Sequence, residues 1–352
     1  MASYLPSPDQ RLLRDEVRRV LVAEHPFQSR RTEADDVWPQ AVELGWPLAL
    51  APEDAGGVGG LVEAALLAEE FGRALRPEPL DLAGALVHAA LKAGGGSPAA
   101  DALVAGILDG GSRPAFNPSA DVVATRAGSG WRLSGQADLI WGAAGANEVV
   151  LAAGGPDGVI AARAPVSAQG VAFATAPGFD GRTAARLTLS GVEIAADRVI
   201  EPGNEFLETA HAAYLVLASA TAIGDMSRAI ELAAEYIKTR KQFGVELSTF
   251  QALQHQLADA HVELELARSM VALGVETLLE EPDGKARARV ASAVKARVGE
   301  AALLVGAKAV QLHGGVGVTE EFEVGRHYQR LLAFELNAGS RAHHLQRFAA
   351  LS

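Results

Sequence analysis

The sequence predicts an α+β chain in three parts. These are a helical N-terminal domain over residues 1–112, a middle β domain over 113–202 and a C-terminal helical bundle over 203–352. Three observations carry this. Apolar residues recur at helical spacing up to about residue 110. From Arg113 onward, short β-branched runs separated by turn residues replace them. Beyond Asn204 the helical period returns and holds over long stretches joined by short turns, so a β insert sits between two helical parts.

At 352 residues, with 49% hydrophobic and 21% charged residues, the chain has the balance of a globular protein with a sizeable core. A formal charge of -12 argues against nucleic acid as a partner, because phosphate binding needs a basic surface. There is no cysteine. That excludes disulfides, cysteine-ligated zinc, iron–sulfur clusters and a thiol nucleophile, and fits a reducing cytoplasm. The opening Met1-Ala-Ser-Tyr-Leu-Pro6 leads into a charged helix and does not read as a signal peptide. No apolar run stands out as long enough for a bilayer. The expectation is a cytoplasmic protein with no membrane partner.

Taken in order, residues 8–24 form an amphipathic helix with Leu12, Leu13, Val17, Val20 and Leu21 on one side. Leu44 to Glu53 is a helix end running into a loop. The cluster Gly56-Gly-Val-Gly-Gly60 lacks the Lys-Ser/Thr of a phosphate loop and reads as a flexible turn. Leu61 to Leu75 is helical until Pro77 and Pro79 stop it. Residues 80–110 give one or two Ala/Leu helices with a loop at Gly94-Gly-Gly96. Strands follow at 121–125, 130–135, 148–152, 158–162 and 185–194. A helix over 206–224 then leads into the stretch that dominates the chain.

That stretch runs from Tyr236 to Ala260 and reads as helix, tight turn, helix. Ala229, Ala233, Tyr236 and Arg240 share one stripe, which carries Arg240 on a half-buried face. Gly244 stops the first helix. Ser248 starts the next, with Gln251 completing a capping box, and Leu253, Leu257, Ala260, Leu264 and Ala267 form its buried stripe. Arg240, Gln242 and Phe243 thus stand together at a helix end, a set suited to a pyrophosphate and a flat ring. A cation complementing the last turn of a helix is the plain alternative. The chain then turns at Pro282-Asp-Gly284. A helix marked by Val290, Val294, Val298 and Val305 follows, with Gly299 and Gly306 permitting close approach of a neighbour. It ends in Gln311-Leu-His-Gly-Gly315, where bare backbone is open to a ligand or simply stops the helix. His313 there reads as a satisfied polar residue.

Arg240-Lys-Gln-Phe-Gly244, Phe250-Gln251 and Leu257-Ala-Asp259, with Gln311-Leu-His-Gly-Gly315, resemble the signatures of the acyl-CoA dehydrogenase flavoprotein family. The run from Leu44-Gly-Trp46 to Leu75 and the pieces Gly130-Trp-Arg-Leu-Ser-Gly135 and Leu187 to Glu193 extend the likeness over the whole chain. The resemblance implies a helical N-terminal domain, a middle β-barrel and a C-terminal four-helix bundle. It also implies FAD, an acyl-CoA substrate and an electron-transfer acceptor. In the family, the residues matching Arg240, Gln242, Phe243, Gln251, Gln311, Gly314 and Gly315 belong to motifs that meet the phosphate and adenine half of FAD held by a neighbouring subunit.

The likeness fails at the reactive end. The family removes a proton next to the thioester carbonyl with a Glu, while hydride leaves the next carbon for the flavin. The two positions that carry the Glu among members fall here on Ala338 and Tyr214. The Ala338 N–H remains as a donor to the thioester, but Tyr is a poor base at neutral pH. The flavin-side loop has no counterpart in 113–121, and Trp141 stands where a small hydroxyl should face the ring, unless the register is one residue off. Glu335, Glu208 and His211 are the nearest groups for a relocated base.

The sequence therefore points to one subunit of a hetero-oligomeric acyl-CoA dehydrogenase, lending its clasp to FAD seated in a homologous partner that carries the base. Two alternatives stand beside it: a self-sufficient homo-oligomer with a relocated base, and a non-redox binding protein on the same fold.

Overall fold

The computed structural model describes residues 6–24, 27, 36–93, 97–118, 121–319 and 321–352. The opening residues 1–5, the expected glycine loop 94–96 and two residues of the 113–121 segment lie outside these.

The N-terminal part is helical. Helix α1 (Pro8–Glu24) buries Val17, Val20 and Leu21, but Leu12 is exposed instead of joining them. After α2 (Trp38–Glu43) two short 3-10 turns lead to the glycine cluster. This is a tightly packed loop, not a flexible one. Gly59 N–H donates to the Ala51 carbonyl at 2.8 Å, and a Cβ on Gly57 would lie 2.0 Å from that same oxygen. Only glycine lets the two backbones meet so closely. Helices α3 (Leu61–Arg73), α4 (Leu80–Lys92) and α5 (Pro98–Leu108) follow, the last capped by Ser97.

Among the described residues the middle part has eight strands. The expected runs appear as β2 (Asp121–Ala127), β3 (Gly130–Ile140), β4 (Glu148–Gly155), β5 (Gly158–Pro165) and β7 (Thr183–Ile194). Three strands lacked a readable pattern: β1 (Pro114–Asn117), β6 (Val171–Pro177) and β8 (Val199–Ile200). Strand β6 is nearly all exposed, and β8 is two residues long, so neither shows clear alternation. The sheet order is β6-β7-β3-β2-β4-β5-β8, with β1 pairing β4 in parallel. Among the described residues β6 and β8, at the two ends of this order, do not pair with each other. One apolar cluster is built from Trp131, Leu133, Val149, Leu187 and their neighbours within the sheet. Phe116, Val150, Ala152 and Ala161 instead join the main helical core.

The C-terminal part begins with α6 (Gly203–Thr239), a single helix that starts earlier and runs longer than the sequence indicated. It packs on α3 and α4, and on α7 (Gln251–Glu280), α8 (Gly284–His313) and α9 (Glu323–Leu336). Helix α10 (Arg341–Ala350) packs on α8. The α3–α6 crossing is made by glycines. A Cβ on Gly72 would lie 2.0 Å from the Thr221 carbonyl oxygen, and one on Gly224 would lie 1.9 Å from that of Glu69. Gly306 likewise admits the Tyr328 ring, whereas Gly299 has ordinary space.

Two of these helices, α6 and α8, are long and apolar enough to cross a membrane by length and composition, contrary to expectation. In α6, 89% of the apolar window is buried inside the protein, so its composition is that of a core helix.

Candidate active site

A cavity of about 1120 Å³ lies where the three parts of the chain meet. It is at the upper end of ligand-pocket sizes, which run to roughly 1,000 Å³. Its walls come from α3 (Phe71), the start of α4 (Asp81, Leu82), the end of β3 (Trp141), the β6–β7 loop (Arg182), α6 (His211, Tyr214) and the α9–α10 loop (Asn337, Ala338).

The two positions at which the family's base was expected meet here. Tyr214 and Ala338 both line the cavity, and Asn337 beside Ala338 donates its side-chain amide to the Tyr214 hydroxyl at 2.9 Å. Burial first, then the Asp81 carboxylate, push the Tyr214 hydroxyl well above its ordinary range, so it stays protonated. Ala338 is held at φ +57, a conformation L side chains rarely adopt. Two buried groups fix it from behind. Lys295 of α8 donates to the carbonyls of Glu335 (3.1 Å) and Gly339 (3.0 Å). The His344 ring donates to the Ala338 carbonyl at 2.9 Å. The Ala338 N–H makes no hydrogen bond among the described residues and remains available to a ligand oxygen.

Trp141 lines this cavity, as do Ile140 and Gly142 on either side of it. Between Ala137 and Ile140 the β3–β7 register shifts, with Leu139 at φ +55 inside the bulge. The bulge re-aims the strand end. Trp141 then stacks on Tyr214, with ring centroids 4.7 Å apart and planes 18° apart, and leans on His211 at 5.7 Å. Burial pushes the His211 imidazole down to about 3, so it is neutral. Glu208 lines the mouth of the cavity and is exposed. Glu335 does not line it; its carboxylate instead accepts the Arg341 N–H at 2.7 Å.

The motifs expected to meet the nucleotide lie at the C-terminal ends of α6 and α8. Helix α6 ends at Thr239, and Arg240 caps it in extended backbone, so Arg240 is exposed and not on a half-buried face. Gly244 does not stop the helix. Strands β9 (Lys241–Gln242) and β10 (Val245–Glu246) form a hairpin with Phe243 (φ 54) and Gly244 (φ 83) at its tip. Positive φ at both central residues is what a two-residue hairpin turn demands. Ser248 lies in a 3-10 turn and makes no capping box; α7 opens at Gln251 with no side-chain cap, while its expected apolar stripe is buried or half-buried. Phe243 is 90% exposed in a backbone conformation unusual for an aromatic residue. The Arg240 guanidinium has no hydrogen bond or ion pair among the described residues.

The second motif sits beside the first. Tyr236, one turn before Arg240, stacks on His313 with centroids 4.6 Å apart. His313 is buried, donates to the Ala309 carbonyl at 2.8 Å, and is kept neutral by burial. Gln311, Gly314 and Gly315 next to it are exposed, and a Cβ on either glycine would meet nothing within 4 Å. One end of the bundle thus offers an open guanidinium, two amides, an exposed ring and bare backbone. Gln251 is exposed at the start of α7.

Sequence reasoning missed Asp81, Thr221, Arg182, Asn337 and Lys295. Each is a single polar residue brought to the cavity or its loop by long-range packing, without a local pattern to mark it.

Comparison with known proteins adds a family. Residues 7–100 match the N-terminal domain of acyl-CoA dehydrogenases and residues 215–351 their C-terminal domain. The chain is 31% identical to acyl-CoA dehydrogenase IpdE2 of Mycobacterium tuberculosis, over 92% of this chain and 91% of that protein. Among solved structures it is similar to a variant of the Tcur3481-Tcur3483 steroid ACAD, at 27% identity and a TM-score of 0.84 over 97% of each chain. The ChsE4-ChsE5 complex from Mycobacterium tuberculosis shares the fold, with a TM-score of 0.88 at 22% identity over 99% of this chain and 98% of that one.

Proposed function

The chain belongs to the acyl-CoA dehydrogenase family, and from that premise we propose that it is one subunit of a hetero-oligomeric, FAD-dependent acyl-CoA dehydrogenase. One observation carries the reading: both positions for the family's base line the cavity, and neither holds a carboxylate. Tyr214 is protonated and hydrogen-bonded, Ala338 has no acid, and Glu335 is turned to Arg341.

FAD supplies the hydride acceptor for desaturation of an acyl thioester, and this chain's residues fit only one end of it. At the tail end, Arg240 offers its planar fork to the pyrophosphate, while Gln242, Phe243, Gln311 and the backbone of Gly314 and Gly315 supply amide, ring and close approach. All are exposed at one end of the bundle, as residues that serve a neighbour's cofactor must be. At the ring end the residues do not fit, since the Trp141–Tyr214 stack occupies the wall where a small hydroxyl would be needed. No proton or hydride step is assigned to this cavity. The base and the flavin ring belong to a homologous partner, and the complex passes electrons to a separate acceptor. The similarity to a two-component steroid ACAD supports this arrangement.

Co-expression with a homologous dehydrogenase that carries a Glu at either base position tests the reading. The chain alone should be colourless and inactive, and the pair should be yellow and reduce a dye with an acyl-CoA. A relocated base at Glu208 would instead leave the lone chain active and Glu208→Gln inactive.

A further inference from the structure

The cavity that lacks a base is nevertheless large, and it is lined by an arginine without a close hydrogen-bond acceptor. Arg182 enters it from the β6–β7 loop. Its guanidinium makes no hydrogen bond among the described residues, and its one ion pair, to Asp180 Oδ2, is loose at 3.9 Å. Its side chain keeps 29% of its surface open. Around it the interior is polar: Asp81 is buried and accepts from its neighbour's backbone, the Leu82 N–H at 2.8 Å, and from the Thr221 hydroxyl at 3.2 Å. The remaining walls are mostly apolar, with Phe71, Leu82, Leu139 and Leu207 among them. Arg347 and His343 of α10 give the cavity a second basic flank. A large apolar space with a few convergent polar groups is what a small-molecule site needs. Here a guanidinium is left without the planar acceptor it is shaped to grip.

We propose that this chain's own cavity is a non-catalytic binding site for an acyl-CoA whose acyl group carries an oxygen acceptor, a carboxylate or a ketone, which Arg182 grips. The Ala338 N–H is placed to receive the thioester carbonyl, and Arg347 and His343 flank the path of the CoA phosphates. Asp81 and Asp180 both stabilise the charged Arg182, and two carboxylates beside one guanidinium leave no net positive charge, so the site recognises an oxygen by hydrogen bonding and does not simply attract anions. The proposal rests on the family reading above for the thioester, but not on the chain's lending its clasp to a partner's FAD. Flavin content tests that separately.

Titration calorimetry on the full chain decides it, with hexanoyl-CoA, adipyl-CoA, 5-oxohexanoyl-CoA and CoA as probes. At least one oxygenated thioester should bind roughly ten-fold or more tightly than hexanoyl-CoA, and the adipyl and oxo arms show which oxygen is preferred. Arg182→Met should erase that preference while leaving hexanoyl-CoA affinity within about three-fold, which also shows that the variant is folded. Arg182→Lys, which keeps the charge without the fork, should retain only part of it. Equal binding of all three thioesters, or a preference that survives Arg182→Met, overturns the role of Arg182. Loss of CoA binding in Arg182→Met would assign the residue to phosphate, and a lowered FAD content of the assembled complex with the thioester preference unchanged would assign it to flavin; either overturns the proposal. Binding of no thioester overturns the site itself, whatever the flavin content of the complex.

Discussion

The side-chain amide of Asn337 donates to the hydroxyl of Tyr214 at 2.9 Å, tying the loop that carries Ala338 to the middle of helix α6. Two positions 124 apart in sequence number, Tyr214 and Ala338, which the family resemblance marks as expected sites of the base, therefore line one space side by side.

Replacing Tyr214 by Phe removes that bond and nothing catalytic. The expected cost is about 1 kcal/mol of stability, typical of one hydrogen bond, read by urea unfolding. Turnover of the assembled complex should change by less than about two-fold. If Tyr214 acted as the base, activity would fall by orders of magnitude instead.

Arg240→Ala tests the clasp. Arg240 is exposed and makes no ion pair among the described residues, so unfolding of the chain should shift by no more than about 0.5 kcal/mol. FAD retention by the complex should weaken roughly ten- to a hundred-fold, the range for a lost charge-assisted hydrogen bond. Equal flavin content in both complexes would remove Arg240 from the cofactor site.

Lys295 gives a pH signature. Burial pushes its ammonium down to about 8, from an ordinary value of 10.5. Between these values the unfolded chain binds more protons than the folded one, so stability rises with pH across that window. The contribution is fully present above 10.5 and is lost as pH falls through about 8. Lys295→Met lacks the term, so the difference between the wild type and this variant in denaturant midpoint should change from pH 7.5 to 10, in favour of the wild type at the higher pH. A flat difference would mean that Lys295 is not desolvated.

Gly224→Ala should force α3 and α6 apart, because its Cβ would lie 1.9 Å from the Glu69 carbonyl oxygen. Overpacking of this kind costs about 1–3 kcal/mol, occasionally more, and would appear as a lowered Tm. Gly315→Ala, with nothing within 4 Å, should leave Tm unchanged, and any effect would be on FAD retention.

How much of this was legible in the sequence depended on whether the signal was local. The apolar stripe of α7 and the strand runs at 130–135 and 185–194 follow from period and turn residues, and strands form there, running on to Ile140 in the first and starting at Thr183 in the second. Arg240 was placed on a half-buried face because Tyr236 precedes it by one turn, but the hairpin at 241–246 ends the helix first and leaves Arg240 in the open. The convergence of Tyr214 with Ala338 was readable only through family resemblance, and their bridge through Asn337 not at all. The glycines of the α3–α6 crossing left no periodic trace, since their role is set by a backbone far away in sequence. Arg182 gave no signal because a lone arginine in a strand connection resembles any surface cation.

Flavin bound per chain is the most direct test of the whole account. Purified alone, the chain should carry essentially no FAD and should not oxidise an acyl-CoA. Joined to a homologous subunit bearing the base, the pair should carry flavin and turn over, and should lose both with Arg240→Ala. A lone chain saturated with FAD that desaturates thioesters unaided would contradict it.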